Sequence, residues 1–277
     1  VPERSGGGED GGDAQTLRVC ALYPDLMNIY ADRGNLLMLE RRCRWRGISF
    51  ELSASGLGEQ LDADAHDLYY LGGGQDRDQR LCADDLAHVK AAALRAAARR
   101  GALVLGVCGG YQLLGHSYTL DEEEIPGVGL LDVRTVREHG PRLIGNVAID
   151  VSLAELGGHG AASSSGGGDG ASGAHARAIL AGFENHAGRT YLGRGTRALG
   201  RVIAGHGNDG RSGLEGATRD GVIGTYLHGP LLPKNSWFAD WLIARALGRD
   251  PAELAPLPDM LEREAHASAL RAAGVRP

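Results

Sequence analysis

No apolar run in this chain approaches the roughly 18 residues that a membrane-spanning helix requires. The start, VPERSGGGEDGGD, is acidic and glycine-rich, unlike the basic and apolar regions of a secretory leader. A cytoplasmic protein is therefore expected. Cysteine is scarce, with four in 277 residues, at positions 20, 43, 82 and 108. They form no C-x-x-C pair and show no zinc-like spacing, so neither a disulfide framework nor a metal site is expected. Positive charge is not in excess: Lys and Arg total 29 against 35 Asp and Glu, a net charge of −6. That argues against a nucleic-acid binder. A Walker A sequence is also missing, so no ATP site is expected here.

What the chain has in abundance is glycine, 44 residues in all. Part of the excess is local. Residues 1–16 are polar and glycine-rich, and the stretch GGHGAASSSGGGDGASGAH, about 157–175, has almost no apolar content. Both lack the material for a core and are expected to be disordered, the second as a flexible surface insertion. Between them the pattern alternates. LRVCALYP reads as a buried strand. GNLLMLERRCRWR places Leu36, Leu39 and Cys43 on one helix face, and ISFEL follows as a strand. DLYYL is a third strand. Asp84 to Arg100 reads as a helix with Asp84 as N-cap and Leu86, Val89, Ala93 and Leu94 as its apolar stripe. ALVLGV (residues 102–107) has the continuous apolarity of a central parallel strand. LIGNVAIDV, RVIAG and GVIGTYLH are shorter strand-like pieces, WFADWLIARAL is a helix, and a last helix is expected near Met260 to Ala273. Alternating strands and helices predict an α/β fold, an open and mostly parallel sheet with helices on both faces. One domain is expected over 17–250, with a helical tail at 251–277.

Three glycine-marked motifs carry chemistry. In Gly106-Val107-Cys108-Gly109-Gly110 a buried strand runs into G-x-C-x-G and then a short helix, the cysteine form of a nucleophile elbow. The turn is so tight that side chains at 106 and 110 would collide. A cysteine at a helix start favours the thiolate, and the Gly109 N–H is placed to stabilise an oxyanion. Leu71-Gly72-Gly73-Gly74-Gln75-Asp76 is a second glycine turn after the third strand, with Gly73 or Gly74 as the candidate second oxyanion donor. Gly224-Thr225-Tyr226-Leu227-His228 ends a strand in an imidazole that can serve Cys108 as base. His186 is the runner-up base, whereas His116 follows the elbow too closely to reach back to it.

LGVCGGYQLLG together with GTYLHGP resembles the class I glutamine amidotransferases, in the branch related to cobyric acid synthase, where glycine follows the histidine. LYPDLMNIYADRGN, LGGGQDRDQ, GFENHAGRTYLG and GTYLHGPLLPKN are similar, in the same order, to the small glutaminase subunits that amidate lipid II beside a Mur-ligase-like protein. The similarity covers about Leu17 to Leu247. It implies a flavodoxin-like fold and hydrolysis of L-glutamine through a thioester on Cys108, with His228 as base and acid. It also implies that Arg142 holds the substrate α-carboxylate. Gln112 and Asn185 are further substrate-binding candidates. The role of GFENHAGRTYLG stays open between shaping the pocket and contacting the partner. The implied partner is a MurT-like Mur ligase family subunit in a heterodimer. It would carry ATP and magnesium, with lipid II reached through it at the inner membrane face and no cofactor in this chain. One departure matters. The glutamate that follows the histidine by two residues in the commoner triad branch is replaced by Pro230. The imidazole's acceptor must then come from elsewhere in this chain, Glu184 for example, or from the partner. A cobyrinate-type acceptor and a silent scaffold of the same fold remain alternatives.

Overall fold

The computed structural model describes residues 15–29, 33–120, 123–156 and 177–277. The two glycine-rich stretches expected to be disordered lie almost wholly outside them.

The first half alternates as its apolar pattern predicts: β1 (Thr16–Leu22), α1 (Arg33–Arg44), β2 (Ser49–Ser55), β3 (Leu68–Leu71), α2 (Asp76–Asp85), α3 (Ala91–Arg100), β4 (Leu103–Val107) and α4 (Gly109–Leu114). The second half begins with β5 (Ser117–Leu120), β6 (Glu123–Pro126), β7 (Val133–Arg137), β8 (Leu143–Ser152) and α5 (Leu153–Leu156). Then come β9 (Arg177–His186), β10 (Gly188–Leu192), β11 (Gly200–Ala204), β12 (Leu214–Glu215), β13 (Ala217–Arg219) and β14 (Val222–Thr225), closed by α6 (Ser236–Ala246) and α7 (Met260–Ala272).

The main sheet has six strands in the order β13-β14-β4-β3-β1-β2. Every pairing in it is parallel except β13 with β14. β3, β4 and β14 are buried at every position, so both faces of the sheet centre are covered, as their unbroken apolar runs require. Two four-stranded sheets, β10-β7-β5-β6 and β12-β11-β8-β9, stand beside it. The strands β5 to β7 were not legible from periodicity because they are only four or five residues long, and β9 because it carries no regular alternation.

The helix expected from Asp84 begins instead at Asp76. Gln75 is its extended N-cap, and Asp76 and Asp78 occupy the positive first turn. A π-turn at Leu86–Lys90 then shifts the phase of the buried stripe. Lys90 is buried in place of Val89, and the stripe continues through Ala91, Leu94 and Ala97. The Lys90 ammonium meets the Asp85 carboxylate at 2.5 Å and the Gly56 carbonyl at 2.7 Å, and it lies over the Tyr23 ring. Tyr23 Oη in turn donates to Asp85 at 2.7 Å.

Cys20, Cys43 and Cys82 are buried free thiols. Burial pushes the thiols of Cys43 and Cys82 up to about 12, so they are inert core residues. The tail is part of the packed unit. Asn146 donates to the Ala272 carbonyl, and Leu270 packs with Ala148 and Ala181.

Arg42 on α1 is fully buried. Its guanidinium pairs with Asp240 on α6 at 2.5 Å and with Asp259, just before α7, at 2.9 Å. Removing Arg42 leaves Asp259 without this partner, at a cost of about 3 kcal/mol, while Arg46 still pairs with Asp240 at 2.8 Å. Arg42→Ala is expected to lower Tm by roughly 6–12 °C. A shift below about 2 °C in a thermal melt would show that the cluster contributes little.

Candidate active site

The strand β4 delivers Cys108 at the carboxyl end of the sheet, where ligands of open α/β folds bind. Cys108 has φ 53° and ψ −108°, a left-handed conformation rare for a residue with a side chain. Such conformations cost about 1–3 kcal/mol and persist where the surroundings over-determine them. Here two glycines do so. A Cβ on Gly106 would lie 2.9 Å from the Gly110 carbonyl, and one on Gly110 would lie 2.2 Å from the Leu71 carbonyl oxygen. The Gly110 N–H donates to the Gly72 carbonyl at 3.0 Å, joining the elbow to the turn after β3.

That close approach brings the second glycine turn to the nucleophile. A Cβ on Gly109 would stand 3.2 Å from the Gly74 nitrogen, so the Gly74 and Gly109 amides are neighbours. As the first residue of α4, Gly109 has no intrahelical acceptor for its N–H. Gly73 is anchored differently, its carbonyl accepting the Ile29 N–H at 3.1 Å. Of the two candidate donors, Gly74 has its nitrogen close to Gly109.

The base arrives on the neighbouring strand. The Cys108 N–H donates to the Thr225 carbonyl at 2.8 Å, and β14 pairs in parallel with β4, Thr225 opposite Val107. His228, three residues further on, is fully buried. Its backbone exchanges two hydrogen bonds with Phe183, and the two rings meet edge to face. Burial, then the neighbouring His186 and Lys234, push the His228 imidazolium down to about 4. Burial thus disfavours the charged imidazolium and favours the neutral ring.

Pro230 has no carboxylate to offer the imidazole. Its ring packs under Gly34 at the start of α1. The Glu184 carboxylate, the internal candidate for the missing acceptor, takes the N–H groups of His206 at 2.6 Å and Gly207 at 2.9 Å.

A cavity of about 930 Å³ opens over the nucleophile, lined by Gly74, Gln79, Cys108, Gln112, Arg142, Asn185 and His186 among others. The structure thus gathers Gln112, Arg142 and Asn185 around Cys108. The amide of Gln112 is largely spent within the protein. Its oxygen accepts from Gln79 at 2.7 Å, and its nitrogen donates to Tyr226 Oη at 3.2 Å. Tyr226 Oη continues this polar chain to Thr190 at 2.6 Å. Asn185 is engaged by Arg142. His186 Nδ1–H donates to the Gly188 carbonyl, and its ring lies flat on Tyr226 with centroids 3.6 Å apart. His186 is thus part of the cavity wall, with one ring nitrogen already committed. Exposed His116 pairs with Asp132 and is not among the lining residues. Gln79 and Tyr226 were missed as site residues because nothing in their spacing marks them; only the fold brings them together.

A strained cysteine at a strand-to-helix elbow, two neighbouring glycine amides and a buried histidine after the adjacent strand fit a thiol-dependent acyl-transfer site. The CobB/CobQ-like glutamine amidotransferase domain matches residues 18–236, and the chain belongs to that family. It is 36% identical over 234 residues, 84% of this chain and 85% of the other, to the lipid II isoglutaminyl synthase (glutamine-hydrolyzing) subunit GatD of Staphylococcus aureus. To the subunit of the same name from Streptococcus pneumoniae it is 32% identical over 260 residues, covering 92% and 91% of the two chains. A cobyric acid synthase from Pelotomaculum thermopropionicum is 37% identical over 147 residues, half of this chain and a quarter of that protein.

Glu215 lies behind the site, fully buried, accepting the Tyr226 N–H at 2.7 Å and the Thr225 hydroxyl. Burial pushes its carboxyl up to about 8 from an ordinary 4.5. Between those values the folded chain binds more protons than the unfolded one, so stability falls as pH rises through that window. Glu215→Gln keeps the acceptor for Tyr226 and cannot ionise. Urea midpoints at pH 5 and pH 8 should therefore differ less in the variant than in the wild type. An equal difference in both proteins would refute a buried neutral Glu215.

Proposed function

We propose that this chain is the glutaminase subunit of a lipid II-amidating synthetase. The reading is supported by Cys108 at its strained elbow beside the Gly74 turn, with His228 following the strand paired to β4. It is supported by similarity to two GatD subunits across most of their length. Cys108 Sγ attacks the side-chain carbonyl carbon of L-glutamine while neutral His228 takes the thiol proton. The oxygen that becomes negative is stabilised by the Gly74 and Gly109 N–H groups. His228 returns its proton to the departing nitrogen, and ammonia leaves. Water, deprotonated by the same imidazole, then cleaves the γ-glutamyl thioester to glutamate and restores the thiol. Arg142 offers a guanidinium to the substrate α-carboxylate.

A MurT-like Mur ligase family partner would bind ATP and magnesium and activate the α-carboxylate of the stem-peptide D-glutamate. The ammonia made here then yields D-isoglutamine. Among the described residues no helix is long and apolar enough to cross a membrane, so on this reading contact with the membrane-bound substrate runs through the partner.

Cys108→Ala should abolish glutamine hydrolysis by orders of magnitude with an unchanged melting curve, while the assembled synthetase still amidates lipid II from free ammonia. Near-normal hydrolysis by the variant would refute the assignment. A carboxylate of the partner is the proposed acceptor for His228, with Glu184 or a backbone carbonyl of this chain as the alternative. Saturating partner should then raise kcat/KM for glutamine by roughly tenfold, about 1.4 kcal/mol of transition-state stabilisation. Equal values with and without partner would point to an acceptor inside this chain.

A further inference from the structure

The sequence alone leaves GFENHAGRTYLG without a role. In the structure it forms the end of β9, a turn at Ala187 and β10, directly against the segment that carries Arg142. Leu143 and Ile144 pair in register with His186 and Asn185. Arg142 Nε–H donates to Asn185 Oδ1 at 2.8 Å, and Arg142 Nη2–H to the Asn185 carbonyl at 2.9 Å. One residue back, the Pro141 carbonyl accepts from Arg189 Nη2 at 2.9 Å, and Arg189 Nη1 donates to the Ala187 carbonyl at 2.8 Å. Arg189 is itself buried.

These contacts use one edge of the Arg142 guanidinium and leave the other. Of its five N–H groups, two are taken along the Nε/Nη2 edge. The terminal Nη1/Nη2 edge still has two parallel N–H groups, the fork that a carboxylate accepts with both oxygens. Arg142 is largely exposed and lines the same cavity as Cys108. An exposed arginine without such ties samples many rotamers, and few of them would present that edge to the cavity.

We infer that Asn185 and Arg189 are positioning residues. Asn185 sets the plane of the Arg142 guanidinium and Arg189 fixes the backbone before it, so the terminal fork faces the substrate's α-carboxylate. The motif thereby selects an α-amino acid amide over other primary amides. This rests on the proposed glutaminase reading and deepens it.

The test uses the assembled synthetase with two substrates: L-glutamine, and 4-aminobutanamide, which is glutamine without its α-carboxylate. The readout is the ratio of their kcat/KM values. Asn185→Ala should lower that ratio roughly tenfold, through a higher KM for glutamine with kcat changed less than about threefold. Arg142→Ala should lower it further. If Asn185→Ala reduces kcat/KM for both substrates equally, or leaves the ratio unchanged while Arg142→Ala collapses it, the positioning role is overturned. An unchanged ratio in Arg142→Ala overturns the carboxylate site itself. Full glutaminase activity in a parallel Cys108→Ala control would instead overturn the underlying catalytic reading.

Discussion

Everything at the site depends on how closely two turns can approach. Gly110 lies against the Leu71 and Gly72 carbonyls, where no Cβ has room. That contact turns the chain sharply after Cys108, holds the cysteine in a conformation it would not choose, and brings Gly74 beside Gly109. The segment leading to His228 is coupled to the same place by the bond from Cys108 N–H to Thr225. Backbone pairing thus sets where Cys108, Gly74, Gly109 and the His228 backbone stand.

Around that rigid centre the polar parts are arranged in tiers. Gln79, Gln112, Tyr226 and Thr190 form a hydrogen-bonded chain beneath the cavity. The Gly74 turn is supported from outside. Met27 Sδ would be only 2.3 Å from a Cβ at 74, and the Met27 and Leu26 amides are held by the carbonyl of Tyr23. Tyr23 has a left-handed backbone and is fastened through Asp85 to the buried Lys90. The charge pair at the π-turn thus reaches the Gly74 turn through one tyrosine and one methionine.

The central strands and the elbow were legible because each rests on a local rule. An unbroken apolar run means a strand covered on both faces, and paired glycines around a cysteine mean a tight turn. Helix boundaries were less legible. The phase shift at Leu86–Lys90 depends on a lysine that finds Asp85 and Gly56, which no periodicity reveals. The side sheets were missed because strands in them pair over long sequence distances, β7 with β10 from residues more than 50 apart. Arg142 could be named from its motif. That Asn185 grips it, and that His186 lies flat on Tyr226, emerges only when β8, β9 and β14 are brought together.

The Arg42 cluster has a consequence for the order in which the chain matures. Its two carboxylates, Asp240 and Asp259, lie almost 200 residues or more downstream. During synthesis at 5–20 residues per second, domains organise from the amino end. For on the order of ten seconds or more, the emerging first half therefore carries a guanidinium whose burial site does not yet exist. Helix α1 can form in that interval and meet β2, but not α6. The lock closes only after α6 and the segment beyond it emerge, so the nearly complete nascent chain should be the first species able to hold the sheet closed on that face.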